Sequence, residues 1–229
     1  MSVKIDTVYQ RVLALANKEQ RGYITPQEFN LLANQALMEI FEEYFYDQNK
    51  ADRNLKNSTE FSNVDEMLDE KISYFKTQKT IAAPGNKAGL PTDLYRLGMV
   101  QTVNGDIEIE QMMEEELIYN NSSPLTKPNS LYPAYVRINN DQIRLYPGTI
   151  TKCLINYIHR PVECRWDYVV VNEKALYNAT NSVDFDIHRA EESQLVYKIL
   201  ALAGITIAKP GLATYGDGQV TVTKQQEKQ

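Results

Sequence analysis

Residues Asn17 to Glu28, NKEQRGYITPQE, have the length and part of the spacing of a loop that binds calcium between two helices. Gly22 stands at the sixth position and Glu28 at the twelfth, as such a loop requires. Calcium also needs side-chain oxygens at the first, third and fifth positions, where the chain has Asn17, Glu19 and Arg21. Because Arg21 would place a guanidinium cation against the metal, we predict that this stretch does not bind calcium.

The same stretch contains a pattern that starts a helix. Thr25 to Glu28, TPQE, is a capping box: the Thr25 hydroxyl accepts from the Glu28 amide, and the Glu28 carboxylate accepts from the Thr25 amide. Pro26 stands at the first helical position, where a missing N–H costs nothing. Gly22 suits the left-handed residue that ends a preceding helix. We therefore predict a helix end, a tight turn and a helix start.

Two cysteines and two histidines are the candidates for binding a soft metal ion. Cys153 and Cys164 have no CxxC spacing, and His159 and His188 fall on different predicted elements. A structural zinc site needs four ligands, commonly in close pairs. We therefore predict two reduced, partly buried thiols, with neither a metal site nor a cofactor.

Acidic residues are the remaining candidates for catalysis. Glu114, Glu115 and Glu116 offer a pair of acid–base carboxylates, although such a charge run is more often a solvated face. Asp184 and Asp186 alternate on a predicted edge strand, where capping the following helix is favoured over binding a cation. Phosphate-binding loops and GxGxxG, GxSxG or HExxH motifs do not occur in the sequence. The sequence predicts no enzyme, with a hydrolase using Glu115 or Asp186 as an alternative.

The composition restricts the partners of the chain. The 229 residues carry a net charge of −6 and have a pI near 5.1, which disfavours a protein that grips nucleic acid through its overall field. The first ten residues, MSVKIDTVYQ, have no apolar signal core, and no apolar run reaches the roughly 18 residues of a membrane span. These features predict a soluble protein of intracellular origin that does not enter a membrane.

Helical periodicity marks both ends of the chain. Apolar residues recur every three or four positions over 4–18, from Pro26 to about Asp47, and from Val64 to about Thr77. The same spacing returns over 190–203, and this helix stops between 204 and 208. These segments predict a helical bundle.

The middle of the chain alternates with a period of two, which predicts strands. Residues 97–112 form two such runs around Asn104-Gly105, a strong hairpin signal. Residues 135–138 and 142–146 are predicted to form a second hairpin, and further strands are predicted over 152–159 and 168–171. Between the two hairpins, 116–133 has no periodicity and is predicted to be a loop. The predicted fold is α+β, with a bundle of N- and C-terminal helices and an inserted antiparallel sheet.

This fold divides the chain into four ranges. They are an N-terminal helical part (1–80), an inserted β-domain (90–172), a C-terminal bundle helix (184–208) and an extended tail (209–229). The apolar stripe of the second helix is wider than one partner helix needs, and the tail has a strand-like alternation over 219–223. Both features predict contact with a partner. The residues assigned to it are Phe41, Tyr44, Phe45, Leu212, Tyr215, Val220 and Val222.

Four stretches of the sequence resemble segments of known proteins. The opening VYQRVLALANKEQRGYITPQEFNLLANQALMEIFEEYF is similar to the N-terminal helical pair of structural proteins of short-tailed phages, notably those of the crAss-like group. LPTDLYRL and IRLYP resemble short segments of phage neck and tail ring proteins, and SVDFDIHRAEESQLVYKILALAGITIAKP is similar to the last helix of those proteins. These stretches contain no catalytic signature.

The resemblance implies a tail adaptor, or neck ring protein, that connects head and tail. Such adaptors form a ring, commonly a dodecamer, which docks beneath the portal protein, lengthens the DNA channel and offers a platform for the next tail protein. The chain would then belong to the virion neck, be made in the host cytoplasm and serve genome ejection. DNA would pass through the acidic lumen without specific binding. A different tail or hub-associated ring protein is the alternative within this class.

Overall fold

The computed structural model describes residues 2–17, 24–53, 61–172, 174–206, 214 and 217–222. The chain forms two compact units. The helical unit comprises Met1–Tyr74 and Pro161–Gln229, and the β unit comprises Phe75–Arg160. The predicted ranges were 1–80 for the first helical part and 90–172 for the β-domain. The β unit begins at Phe75 and ends at Arg160, so both of its boundaries lie earlier in the chain than predicted.

The described helices are α1 (Ile5–Asn17), α2 (Pro26–Arg53), α3 (Phe61–Ser73), α4 (Glu114–Ser122) and α5 (Glu192–Thr206). The strands are β1 (Lys76–Ala82), β2 (Lys87–Gly89), β3 (Leu94–Gln101), β4 (Glu110–Gln111), β5 (Ala134–Arg137), β6 (Gln142–Tyr146), β7 (Lys152–His159), β8 (Tyr168–Val171) and β9 (Lys174–Tyr177). Helices and antiparallel sheets thus occupy separate parts of the chain, which confirms the predicted α+β class.

The core of the helical unit forms around α2. Its buried residues recur at helical spacing from Phe29 through Ala33 and Leu37 to Phe41. Helix α5 packs against α1 and α2, and α3 packs against α2. Helix α2 thus has packing neighbours within its own unit, and it continues past the predicted end at Asp47 to Arg53.

The predicted capping box starts α2. The Glu28 amide donates to the Thr25 hydroxyl at 3.3 Å, and the Thr25 amide donates to the Glu28 carboxylate at 2.9 Å. The Thr25 hydroxyl also donates to that carboxylate at 2.8 Å. These bonds to Thr25 lower the pKa of Glu28. Residues 18–23, half of the calcium-like stretch and including position 22, lie outside the described residues.

Two asparagines of α2 hold an extended segment against the helix. The Cys164 amide donates to Asn34 Oδ1 at 2.8 Å, and Asn34 Nδ2 donates to the Cys164 carbonyl at 2.9 Å. Asn30 makes the same pair of bonds with Trp166, at 2.8 and 3.1 Å. Since Asn30 and Asn34 are one helical turn apart and residues 164 and 166 lie on one side of an extended chain, the two amides substitute for a neighbouring strand.

Buried ion pairs join the helices of this unit. Lys71, on α3, lies 2.6 Å from Glu191, and both side chains are at least nine-tenths buried. Lys198, on α5, lies 2.6 Å from Glu43 on α2, which also accepts a hydrogen bond from Gln194 at 3.2 Å. Ion pairs in such positions restrict which helix faces can meet, because an unmatched buried charge is costly.

The β unit contains two sheets around one core. The first has the strand order β1-β7-β3, and the second has the order β2-β6-β5-β4, in which the β4–β5 pair is parallel. Alternate residues of β7 (Cys153, Ile155 and Tyr157) point into this core. Gly98 lies where β3 shifts register against β7, and a Cβ there would come within 2.9 Å of the Asn156 carbonyl oxygen. This close approach explains glycine at position 98.

The predicted hairpin around Asn104-Gly105 is correct as a turn but wrong as two paired strands. Gly105 has a φ of +76°, and its amide donates to the Thr102 carbonyl at 2.8 Å. Pairing across the turn is limited to one bridge between Gln101 and Glu108. The chain then leaves β3 and pairs with β5 as β4, because that register places Ile109 in the core.

Three other predictions are corrected by the structure. The third helix ends at Ser73 instead of about Thr77, and the polar strand β1 follows at Lys76. The expected loop over 116–133 begins with helix α4, whose first turn carries three glutamates that suit a helix N-terminus. The strand-like run over 219–222 is helical, and the Thr221 hydroxyl donates to the carbonyl of Asp217 one turn earlier at 2.9 Å.

Candidate partner-binding surfaces

The acidic candidates for catalysis belong to different units, the three glutamates to the β unit and Asp184 to the helical unit. Glu114, Glu115 and Glu116 are all exposed in the first turn of α4, as a solvated face would be. Asp184 accepts from the amide of Ile5 at 3.0 Å, so it caps α1 and not the helix that follows it. That correction has a geometric reason: Phe185 bridges to Val3, which brings Asp184 beside the start of α1.

The histidines and cysteines have structural surroundings. His188 Nδ1 accepts from the Ala190 amide at 3.3 Å and caps the 3-10 turn Arg189–Glu191. Burial raises the pKa of the Cys153 thiol to about 11 and that of the Cys164 thiol to about 12. Both thiols therefore stay protonated near neutral pH, which disfavours them as nucleophiles or metal ligands.

Within the described part of the chain, no group of three His, Cys, Asp or Glu side chains is placed to hold a metal ion. A shallow groove of about 280 Å³ runs between α1 and α5. It is lined by Arg11, Ala14, Leu15, Ser193, Val196 and Tyr197. Arg11 is paired with Glu192 at 2.7 Å, and the groove walls are mainly apolar, so the groove presents no acid–base pair.

The predicted interface residues of α2 lie inside the protomer. Phe41 is fully buried, Tyr44 and Phe45 are more than nine-tenths buried, and the rings of Phe41 and Phe45 meet edge to face at 5.0 Å. The apolar width of α2 is thus used by its own neighbours α3 and α5. This corrects the assignment of these three side chains to a partner surface.

The tail residues assigned to the same interface are only partly described. Leu212 and Tyr215 lie outside the described residues. Val220 and Val222 lie in the helical turn 217–222, where Val222 is exposed and Val220 is half-buried. An edge-to-edge strand contact through these two valines does not agree with that helical turn.

The structure reveals an exposed apolar surface that the sequence analysis missed. We define the ledge as residues 106–132, which comprise the turn after β3, β4, α4 and the segment that follows. Its large exposed apolar side chains are Met113, Ile118, Tyr119, Leu125, Leu131 and Tyr132. Leu125 is 92% exposed and Met113 is 79% exposed. A partner that covers these side chains would stabilise the complex by about 25 cal/mol per Å² of apolar area buried.

Hydrogen bonds give the ledge a defined shape. Asn129 Oδ1 accepts from the amides of Leu131 and Tyr132 at 2.8 and 3.0 Å. The Thr126 hydroxyl donates to the Asn120 carbonyl at 3.2 Å, which ties the segment to the end of α4. The apolar side chains are therefore presented by an ordered backbone, as preorganised contact surfaces are.

The ledge is also strongly acidic. Six acidic residues and no basic residue occur between 106 and 126. They are Asp106, Glu108, Glu110, Glu114, Glu115 and Glu116, and all six are exposed. A partner for this surface needs apolar area together with positive charge.

The outer side of the three-stranded sheet has the opposite charge. We define the sheet surface as the exposed side chains of β1, β7 and β3 that point away from the core. The 23 residues of these strands include no Asp or Glu. Lys76, Arg96 and Lys152 are exposed on this side, whereas Lys79 pairs with Ile155 and points to the other side of the sheet. Register places Lys76 and Arg96 on either side of Ile158.

No protein-family model matches the chain, and no curated protein shows significant similarity to it. The helices in the described part of the structure are each too short or too polar to cross a membrane.

Proposed function

We propose that the chain is a ring-forming adaptor of a phage neck, which docks beneath the portal, extends the DNA channel and receives the next tail protein. The observation that carries this proposal is the ledge: an ordered segment that presents six large apolar side chains to solvent. Exposed apolar groups in such numbers are typical of surfaces that become buried on assembly.

The distribution of charge supports the same function. The β unit has nine basic and eight acidic residues, a net charge of +1, so the rest of the chain carries −7. A closed ring built by head-to-tail contacts needs two different, complementary surfaces on each subunit. The β unit offers such a pair, whereas the acidic helical unit is suited to repel DNA phosphates and let a genome slide past.

The resemblance of four sequence stretches to short-tailed phage ring proteins supports the portal as the neighbour above and a tail protein as the neighbour below. A ring of twelve copies, in the virion neck, is the form that this resemblance implies. The proposal includes no catalytic step, no cofactor and no specific contact with bases.

Native mass spectrometry and electron microscopy of the purified chain, alone and mixed with a portal protein of a short-tailed phage, test the proposal. We expect closed rings on the portal with one fixed copy number. Rings that form but do not bind the portal would favour the alternative, a different tail or hub-associated ring protein. A monomer that neither assembles nor binds the portal would refute the proposal.

A further inference from the structure

We propose that the ledge of one copy binds the sheet surface of the next copy, so that β units join head to tail. This inference deepens the proposed ring and rests on it. It commits to a second copy of this chain as the occupant because the chain itself carries both halves of a complementary pair. The acidic, apolar ledge is one half, and the basic sheet surface is the other.

The charges of the two surfaces are opposite in sign. The ledge has six exposed carboxylates and one exposed cation, Lys127, while the sheet surface has three exposed cations and no carboxylate. Opposite patches of this kind orient two partners and exclude a ledge-to-ledge contact, which would bring like charges together. A two-fold symmetric dimer through the ledge alone is therefore disfavoured, and a heterologous contact is favoured.

The sheet surface also provides apolar area for the ledge. Tyr95 and Met99 are 43% and 44% exposed beside Arg96, and Leu154 and Ile158 are half-buried on the outward side of β7. Aromatic and methionine side chains ringed by charge are typical of interface centres. Leu125 and Tyr119 of the ledge are the corresponding anchors.

The two surfaces adjoin within one subunit, because the bridge between Gln101 and Glu108 joins the β3 edge of the first sheet to the ledge. Strand β1 lies at the opposite edge of that sheet, with β7 between β1 and β3. The β1 edge of the sheet surface is therefore the part farthest from the subunit's own ledge. A neighbour's ledge can bind there while the subunit's own ledge binds the next copy, as an open or closed chain of copies requires.

Charge reversal on each surface tests this arrangement. The ledge variant carries Glu110→Lys and Glu116→Lys, and the sheet variant carries Lys76→Glu and Arg96→Glu. Analytical ultracentrifugation at rising concentration should show the wild type associating and each variant remaining monomeric, with a dissociation constant raised at least tenfold. The control variants Asp141→Lys and Lys87→Glu, exposed in the β unit outside both surfaces, should associate like the wild type.

Mixing the two variants gives the decisive result. The intact ledge of the sheet variant and the intact sheet surface of the ledge variant should form a 1:1 dimer that grows no further. Circular dichroism checks each fold. Should the ledge variant misfold, Tyr119→Ser with Leu125→Ser, both at exposed positions, takes its place with the same expected outcome.

The inference is overturned if the wild type stays monomeric at its highest soluble concentration, if folded variants associate like the wild type, or if their mixture remains monomeric. Portal binding is measured separately by co-sedimentation. If the wild type binds the portal but the charge substitutions do not change its self-association, the inference is refuted and the proposed function stands. If the substitutions change self-association as expected but the wild type does not bind the portal, the proposed portal adaptor is refuted and the contact between copies stands.

Discussion

Replacing Asn34 with alanine removes its hydrogen bonds with the amide, the carbonyl and the thiol of Cys164, and the bond that Asn34 Nδ2 donates to the Asn30 carbonyl. Loss of the amide and carbonyl bonds, with both backbone groups left unpaired in a largely buried position, costs about 2–4 kcal/mol. Alanine favours a helix over asparagine by up to about 0.7 kcal/mol, which offsets part of this cost. We therefore expect the free energy of unfolding of the helical unit to fall by about 1.5–3 kcal/mol.

Urea unfolding followed by the fluorescence of Trp166, the one tryptophan of the chain, measures this change in the unit that contains Asn34. Gln35→Ala is the matched control, since Gln35 is an exposed amide on the same helix that bonds only with Glu39 at 3.1 Å, and it should change stability by less than about 0.5 kcal/mol. Hydrogen exchange should also lose protection at the Cys164 amide. An alanine variant as stable as the control, with that amide still protected, would refute the proposed role of the asparagines.

Three further outcomes follow from the helical unit. Thr25→Ala should lower the free energy of unfolding by about 0.5–2 kcal/mol in urea titrations, because the α2 cap is lost. Lys71→Met should cost about 3–5 kcal/mol because Glu191 is left as an uncompensated buried charge, whereas Lys4→Met, which breaks an exposed pair, should cost less than about 1 kcal/mol; equal effects would contradict this account. Burial raises the pKa of Cys164 from 9.0 to about 12, so its contribution to stability should be complete below pH 9 and be lost as the pH rises toward 12. A wild type and a Cys164→Ala variant with parallel pH profiles of unfolding free energy would refute this last expectation.

Local chemistry made part of the fold predictable. The capping box of Thr25 and Glu28 depends on residues three apart, and the alternation of β7 depends on one buried face, so both patterns are visible in a short window. Strand β1 was missed because its first five residues are polar and exposed on both sides of the sheet. Its position as a strand depends on pairing with β7, about 75 residues later, which no local pattern records.

The ledge was missed for a related reason. In α4 the apolar residues Leu117, Ile118 and Tyr119 are consecutive, so they form no helical stripe, and only Leu117 is buried. A surface that is completed by a partner leaves no signature of burial within its own chain. Asn30 and Asn34 of α2 did leave a usable signal in the sequence. They are poor helix formers spaced one turn apart within an apolar helix, which suggests that their side chains form hydrogen bonds outside the helix.

The hydrogen bond between the His159 amide and the Phe75 carbonyl, 3.0 Å long, closes the β unit at the point where the chain both enters and leaves it. Such an insertion behaves as an exchangeable cassette: a short linker can replace it without stretching the flanking helices, and another cassette with the same closely spaced ends can take its place. Substitutions can therefore accumulate in residues 75–160 while the helical unit keeps its sequence. Among homologous chains, this arrangement predicts fast divergence inside the cassette and slow divergence on either side of it.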